Sequence, residues 1–159
     1  MQKNKTLEQV LGLAEEIRHR TTEQKRVAVD WLYADTEAEI ARLDAADAAE
    51  FLKDLGLEEG AKNRIIKKSF ELLKLIVFFT VSEKEVRAWP LRKGESALAA
   101  AGTVHSDMQR GFIRAEVIPF DEFRAAGSIA AAKKAGRVRL EGKEYRVSDG
   151  DVIQFLFNV

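Results

Sequence analysis

The sequence predicts an α+β chain: a mainly helical segment over residues 1–73, then a strand-rich domain over residues 74–159. Three observations carry this. Apolar residues recur at helical spacing through much of the first half. The period then changes at residues 73–76, where the run LIVFFTV is rich in β-branched and aromatic residues. Beyond it, glycine-containing turns separate short alternating runs, and an apolar run closes the chain.

Residues 6–17 place Leu7, Val10, Leu11, Leu13, Ala14 and Ile17 at helical spacing, with Thr6 as the N-cap. Residues 25–34 admit two readings. Val27, Val29, Trp31 and Tyr33 alternate as in a strand, while the flanking sequence favours one continuous helix. Residues 36–43 form a helix with Ile40 and Leu43 on one face, and residues 45–55 a second, closed by Gly56. Residues 61–74 form a third, with Ile65, Ile66, Phe70, Leu72 and Leu73 apolar and Lys62, Arg64, Lys67 and Lys68 solvated.

In the second half, residues 75–81 and 85–91 make a hairpin through residues 82–84, followed by a turn at Lys93-Gly94. Residues 96–101 are a short alanine-rich helix. Residues 112–120 alternate Ile113, Ala115 and Val117 against Arg114, Glu116 and Ile118, a strand. Asp121 caps a helical turn through Phe123 and Ala126, and residues 128–135 form a helix ending at Gly136. Residues 138–140 and 145–147 flank the turn Glu141-Gly142-Lys143. Asp149-Gly150-Asp151 is a tight turn, and residues 152–159 are a terminal strand in which one of Phe155 and Phe157 faces the core and the other does not. Strands in this order around a helix describe a β-grasp, ubiquitin-like domain.

Composition bounds the chemistry. Hydrophobic residues make up 46% and charged residues 33% of 159, as in a soluble globular protein. With no cysteine, disulfides, thiolate zinc sites and cysteine nucleophiles are excluded. No apolar run approaches the roughly 18 residues of a membrane helix, and the polar N-terminus predicts no signal peptide, so a cytoplasmic location without a membrane partner is expected. The 26 basic and 26 acidic residues cancel. Through Leu75 there are 13 basic and 15 acidic residues, and from Ile76 onward 13 and 11, a mild asymmetry that permits a local basic face on the second half.

The phosphate-binding loop Gly-x-x-x-x-Gly-Lys-Ser/Thr is missing. Around the one Gly-Lys pair, Gly142-Lys143, Arg137 stands where the first glycine belongs and Glu144 replaces the hydroxyl. His105-Ser106-Asp107 contains triad residue types, but consecutive residues rarely converge on one another. The reading preferred here is a turn in which Ser106 or Asp107 caps a helix through Met108 and Gln109. Asp44, Asp47, Glu50 and Asp54 share a helix face that is ordinarily just solvated, so no metal site is expected. Trp31 is expected to pack. Trp89, between Arg87 and Arg92, is open to packing or to stacking on a base.

The residues also carry a family resemblance. Phe78-Phe79-Thr80-Val81 and Glu83-Lys84-Glu85-Val86-Arg87-Ala88-Trp89 resemble the start of the C-terminal TGS domain of the Obg-like ATPase (YchF) family. The similarity continues through Gly102, His105, Asp107 and Gly111-Phe112-Ile113-Arg114-Ala115-Glu116-Val117. It then covers Leu140-Glu141-Gly142-Lys143-Glu144-Tyr145, Asp149-Gly150-Asp151 and Phe155-Leu156-Phe157-Asn158-Val159. Upstream, Glu37-Ala38-Glu39-Ile40-Ala41-Arg42-Leu43 and Phe51-Leu52-Lys53-Asp54-Leu55-Gly56-Leu57 resemble the passage joining that family's nucleotide-binding domain to TGS. Two departures stand out: Tyr33-Ala34-Asp35 keeps only the alanine of a Ser-Ala-Lys base-contact motif, and Leu7 replaces the acidic residue of Asn-Lys-x-Asp. The resemblance therefore implies the last strip of a P-loop nucleotide-binding domain followed by a whole TGS domain. It implies no catalytic residues and no cofactor in this chain, ATP or GTP with magnesium belonging to full-length relatives.

Two functional expectations follow. The first is contact with structured RNA or the ribosome through Arg87, Trp89, Arg92, Lys93, His105, Arg110 and Arg114, with Lys133, Lys134, Arg137 and Arg139 as further cations. The second is docking onto a nucleotide-binding domain or a second copy of the chain. Leu11, Val27, Val29 and Trp31 would then belong to an interface, and the first 45 residues should expose apolar surface. Catalysis by the chain itself has the least support.

Overall fold

The computed structural model describes residues 7–21, 27–82 and 85–158. The chain divides into two compact units, Met1–Leu73 and Lys74–Val159.

The first unit contains helices α1 (Leu7–Thr21), α2 (Ala34–Ile40), α3 (Ala45–Asp54) and α4 (Ala61–Leu73). The Thr6 cap lies outside the described residues. α3 starts where the Asp44 carboxylate accepts from the N–H groups of Ala46 and Asp47, satisfying two orphan donors. It ends at Leu55, and Gly56 follows with φ +68°. Residues 27–33 are neither strand nor helix, which corrects both readings offered for this stretch. Side chains of α4 bind its carbonyls instead: Arg64 donates to Trp31 O at 2.7 Å and Lys68 to Val29 O at 3.2 Å.

Asp30 anchors the same segment. Its carboxylate stands 3.1 Å from Lys68 Nζ and 3.6 Å from Arg64 Nε, and its side chain is only 13% exposed. Arg64 and Lys68 are thus not plain solvated residues, as helical spacing implied; the Asp30 charge and two carbonyls draw them in. Burial pushes the Asp30 carboxyl up, but the Trp31 N–H and the Lys68 and Arg64 cations outweigh it and hold it below its ordinary value. A carboxyl lowered on folding stabilises above its unfolded value, and that contribution is lost as pH falls through the folded one. Trp31 fluorescence in a Trp89→Phe background should therefore report loosening below about pH 4, and Asp30→Asn should flatten that response.

Apolar burial in this unit is sparse. Among its described residues only Ala14 and Ala61 are buried, while Leu11, Leu13, Ile17, Val27, Leu32, Ile65, Ile66, Leu72 and Leu73 are exposed. Helical spacing marked an apolar face on α1 and α4, but nothing in the unit fully covers it.

The second unit is a five-stranded mixed sheet of β1 (Leu75–Val81), β2 (Val86–Arg92), β3 (Phe112–Pro119), β4 (Arg139–Glu141) and β5 (Asp151–Phe157) in the order β2-β1-β5-β3-β4. β1 pairs antiparallel with β2 and parallel with β5; β3 pairs antiparallel with both β5 and β4. Helix α5 (Ala97–Val104) lies over one sheet face. Its Ala97, Ala100 and Ala101 are wholly buried with Phe78, Val117 and Ile153, because a side of methyl groups lets the helix axis approach the strands. The other face carries a smaller cluster, Ile118, Val152 and Ala132, covered by α7 (Phe120–Ala126) and α8 (Ile129–Lys134).

Three local expectations are corrected. Asp121 does not cap α7: Pro119 holds the N-cap position with no side-chain bond, and Asp121 sits in the first turn beside Arg124. Residues 145–147 form no strand beyond an isolated bridge between Ser96 and Arg146. That stretch is instead tied to buried Asp151, which accepts from Tyr145 Oη at 2.8 Å and from Ser148 N–H at 2.8 Å. Phe155 and Phe157 stand two residues apart and so share a sheet face. Their exposures, 8% and 39%, differ because Phe157 ends the strand.

Candidate nucleic-acid interface

Strand alternation distributes the predicted contact residues. On β2, Arg87, Trp89 and Leu91 share the face covered by α5, and Leu91 is buried there. Trp89 is half-buried against that core, and its indole N–H donates to Thr80 Oγ1 at 2.9 Å, which fixes the ring plane. Arg87, exposed, lays its guanidinium 4.5 Å from the centre of that ring. Trp89 therefore packs against the core and carries the Arg87 guanidinium on its ring.

Arg92 points to the opposite face at the end of β2, and Lys93 occupies the next turn; both are exposed. Arg114 is exposed on β3 opposite Leu156. His105 and Arg110 belong to α6 (Ser106–Arg110) and its cap. The sheet brings Arg87 and Trp89 together, and Arg92 with Lys93; it does not gather all seven residues into one surface.

The cap of α6 differs from expectation. Neither Ser106 nor Asp107 caps it. His105 Nδ1 accepts from Asp107 N–H at 3.1 Å, which places the neutral ring's proton on Nε2. His105 is extended (φ −162°, ψ 141°) because it ends α5 and begins α6, so its imidazole folds back over the new first turn. Asp107 in turn pairs with Arg110 at 2.6 Å. His105→Ala should cost about 1 kcal/mol in urea unfolding, and His105→Asn, which keeps a capping oxygen, should recover most of it.

Internal pairing sorts the remaining cations. Lys133 is 2.7 Å from Glu116, Arg137 3.5 Å from Glu122 and Arg139 3.6 Å from Glu141. Arg139 also covers the Tyr145 ring and donates to its hydroxyl. By contrast, Arg92, Lys93 and Arg114 make no ion pair among the described residues. Sequence reading missed two neighbours of that uncommitted charge. Lys74 lies beside Lys93, whose N–H donates to Lys74 O at 2.8 Å, and Arg146 reaches Gly94 O at 2.6 Å. Both come from distant stretches, so no local motif signals them. No grouping of His, Asp or Glu suited to a metal ion occurs among the described residues, and no helix there is long and apolar enough to cross a membrane.

A β-grasp sheet with a half-covered edge strand, preceded by a helical unit, defines an α+β protein with a TGS-type domain. Comparison narrows the class. The family model YchF-GTPase_C, described as a protein of unknown function (DUF933), matches residues 75–158, and the chain belongs to that family. The protein named ribosome-binding ATPase YchF from Bacillus subtilis (strain 168) is 52% identical over 126 residues, which cover 79% of this chain and 34% of that protein. The protein of the same name from Escherichia coli O157:H7 is 49% identical, covering 79% and 35%. The chain thus spans about a third of the length of these curated relatives. Among solved structures, the Schizosaccharomyces pombe YchF GTPase aligns with a TM-score of 0.73 at 27% identity, over 89% of this chain and 38% of that one. A GTP binding protein from Pyrococcus horikoshii OT3 aligns at 0.53 and 18% identity, over 96% and 42%, a likeness of fold alone.

Proposed function

We propose that this chain acts as a non-catalytic accessory region of a YchF-type protein, and that its β-grasp unit contacts RNA or the ribosome. One observation carries the reading: the exposed edge strand β2 bears Arg87 stacked on a fixed indole and ends in cations that no carboxylate neutralises among the described residues. Such cations supply salt-dependent affinity for phosphates, and a planar cation suits an unstacked base. The ribosome-binding name of the relatives supports the same partner. Any ATP or GTP chemistry, with its magnesium, is assigned to a nucleotide-binding region that this chain does not supply, and the setting to the cytosol.

Co-sedimentation with ribosomes tests this. Binding should fall steeply between low and moderate salt, and Arg92→Ala with Lys93→Ala should weaken it about tenfold at moderate salt, as expected when two phosphate contacts are lost. Binding indifferent to salt and to these substitutions would refute it.

The helical unit supports a second reading. Leu11, Leu13, Ile17, Val27 and Leu32 are exposed, whereas Val29 and Trp31 are half-buried and tied to α4. This unit would dock onto a nucleotide-binding domain or a second copy, which predicts self-association that salt does not relieve.

A further inference from the structure

We infer that β2 guides a single strand of RNA along the sheet edge, its phosphates held at the corner of Lys74, Arg92, Lys93 and Arg146 and an unpaired base stacked on Arg87; this rests on the RNA-contact reading above. The corner is assembled by the fold. Arg92 pairs with Leu75 in the β1–β2 ladder, the Lys93 N–H bonds Lys74 O, Arg146 bridges to Ser96, and its guanidinium caps Gly94 O. Three separate stretches of chain thereby bring four exposed cations to one end of β2. None of the four is in an ion pair among the described residues, while Arg110, Lys133, Arg137 and Arg139 all are. The acidic residues adjoining this corner in sequence are Glu71, Glu95, Glu144 and Asp149, none of them ion-paired to a corner cation among the described residues, and Asp149 Oδ1 accepts from the Val77 N–H at 2.8 Å.

The stack lies five residues up the same strand, about 17 Å away at strand rise. The Thr80 bond fixes the indole, the indole holds one guanidinium face, and the opposite face is left for a ligand. A base can use that face only when it is free of its own duplex stack, which selects unpaired RNA. A peptide strand is a poorer occupant of this edge. Pro90, in the middle of β2, has no N–H to offer a neighbouring strand.

The test is fluorescence anisotropy of the full chain with a labelled oligoribonucleotide lacking self-complementarity, alone and annealed to its complement. The single strand should bind at least several-fold tighter. Lys74→Ala with Arg146→Ala should reduce the slope of log K against log salt by about 1.4, two lost contacts on a single strand. Arg87→Ala should remove roughly tenfold of affinity for the single strand alone. Arg87→Lys, which keeps the charge and loses the plane, should behave like Arg87→Ala. Equal affinity for the duplex, an unchanged salt slope, or full rescue by Arg87→Lys would overturn the inference. If ribosome co-sedimentation keeps its full strength and unreduced salt slope in those same variants, the edge path fails while ribosome contact stands. If salt-dependent ribosome binding is absent from the start, both fail.

Discussion

Replacing Phe155 by alanine should destabilise the β-grasp unit by about 3–5 kcal/mol in urea-induced unfolding, the cost of removing a buried aromatic and leaving a cavity. Phe155 lies on the central strand, edge-on to Phe78 at 6.2 Å between centroids, and also meets Phe112 at 6.2 Å. Phe78 beside it is fully buried and Phe155 itself nearly so, which leaves the void little freedom to collapse. Phe157→Ala should cost roughly 1 kcal/mol, because that ring already keeps much of its surface in water. Equal losses at the two positions would contradict the packing described for this face.

Gly111→Ala should cost about 3 kcal/mol for a different reason. Gly111 has an ordinary φ of −93°, so backbone strain is not at issue. Its N–H closes α6 on Asp107 O at 2.9 Å, and its carbonyl accepts from Asn158 N–H at 2.9 Å. A Cβ there would fall on the carbonyl group of Asn158, which is backbone and cannot swing aside. Gly142→Ala, with open space around the new methyl, is the control and should leave the urea midpoint nearly unchanged. A mild effect at Gly111 would mean that the end of β5 does not press on the α6–β3 turn.

Much of the β-grasp unit was readable because its signals are local. The run LIVFFTV marks β1 with its observed bounds, and the helices read from Ser96 and Ser128 start one residue later, each serine capping its helix by accepting from Ala99 or Ala131 N–H. What escaped reading depends on distant partners. The alternation of Val27, Val29 and Trp31 suggested a ladder, but Arg64 and Lys68, more than thirty residues on, take those carbonyls. Tyr145 looked like a strand residue until Asp151 claimed its hydroxyl. The His105 cap was missed because histidine is an uncommon acceptor there, and only the α5–α6 corner folds its ring over Asp107 N–H. The candidate contact residues were legible by type, whereas their grouping, with Lys74 and Arg146 joining Arg92 and Lys93, arises only from the ladder register and the turn at Gly94.

The strand order has a consequence for how the domain is made. β5, the last strand in sequence, lies between β1 and β3, and among the strands only it pairs with both. During synthesis the β1–β2 hairpin emerges first and the β3–β4 pair later, each with the inner edge that β5 fills still open. Neither can share a sheet with the other until residues 151–157 arrive. The nascent domain must therefore wait with two inner edges open besides the outer ones, and a translational pause or a nick just before Asp151 would leave two sticky half-sheets in place of one joined sheet.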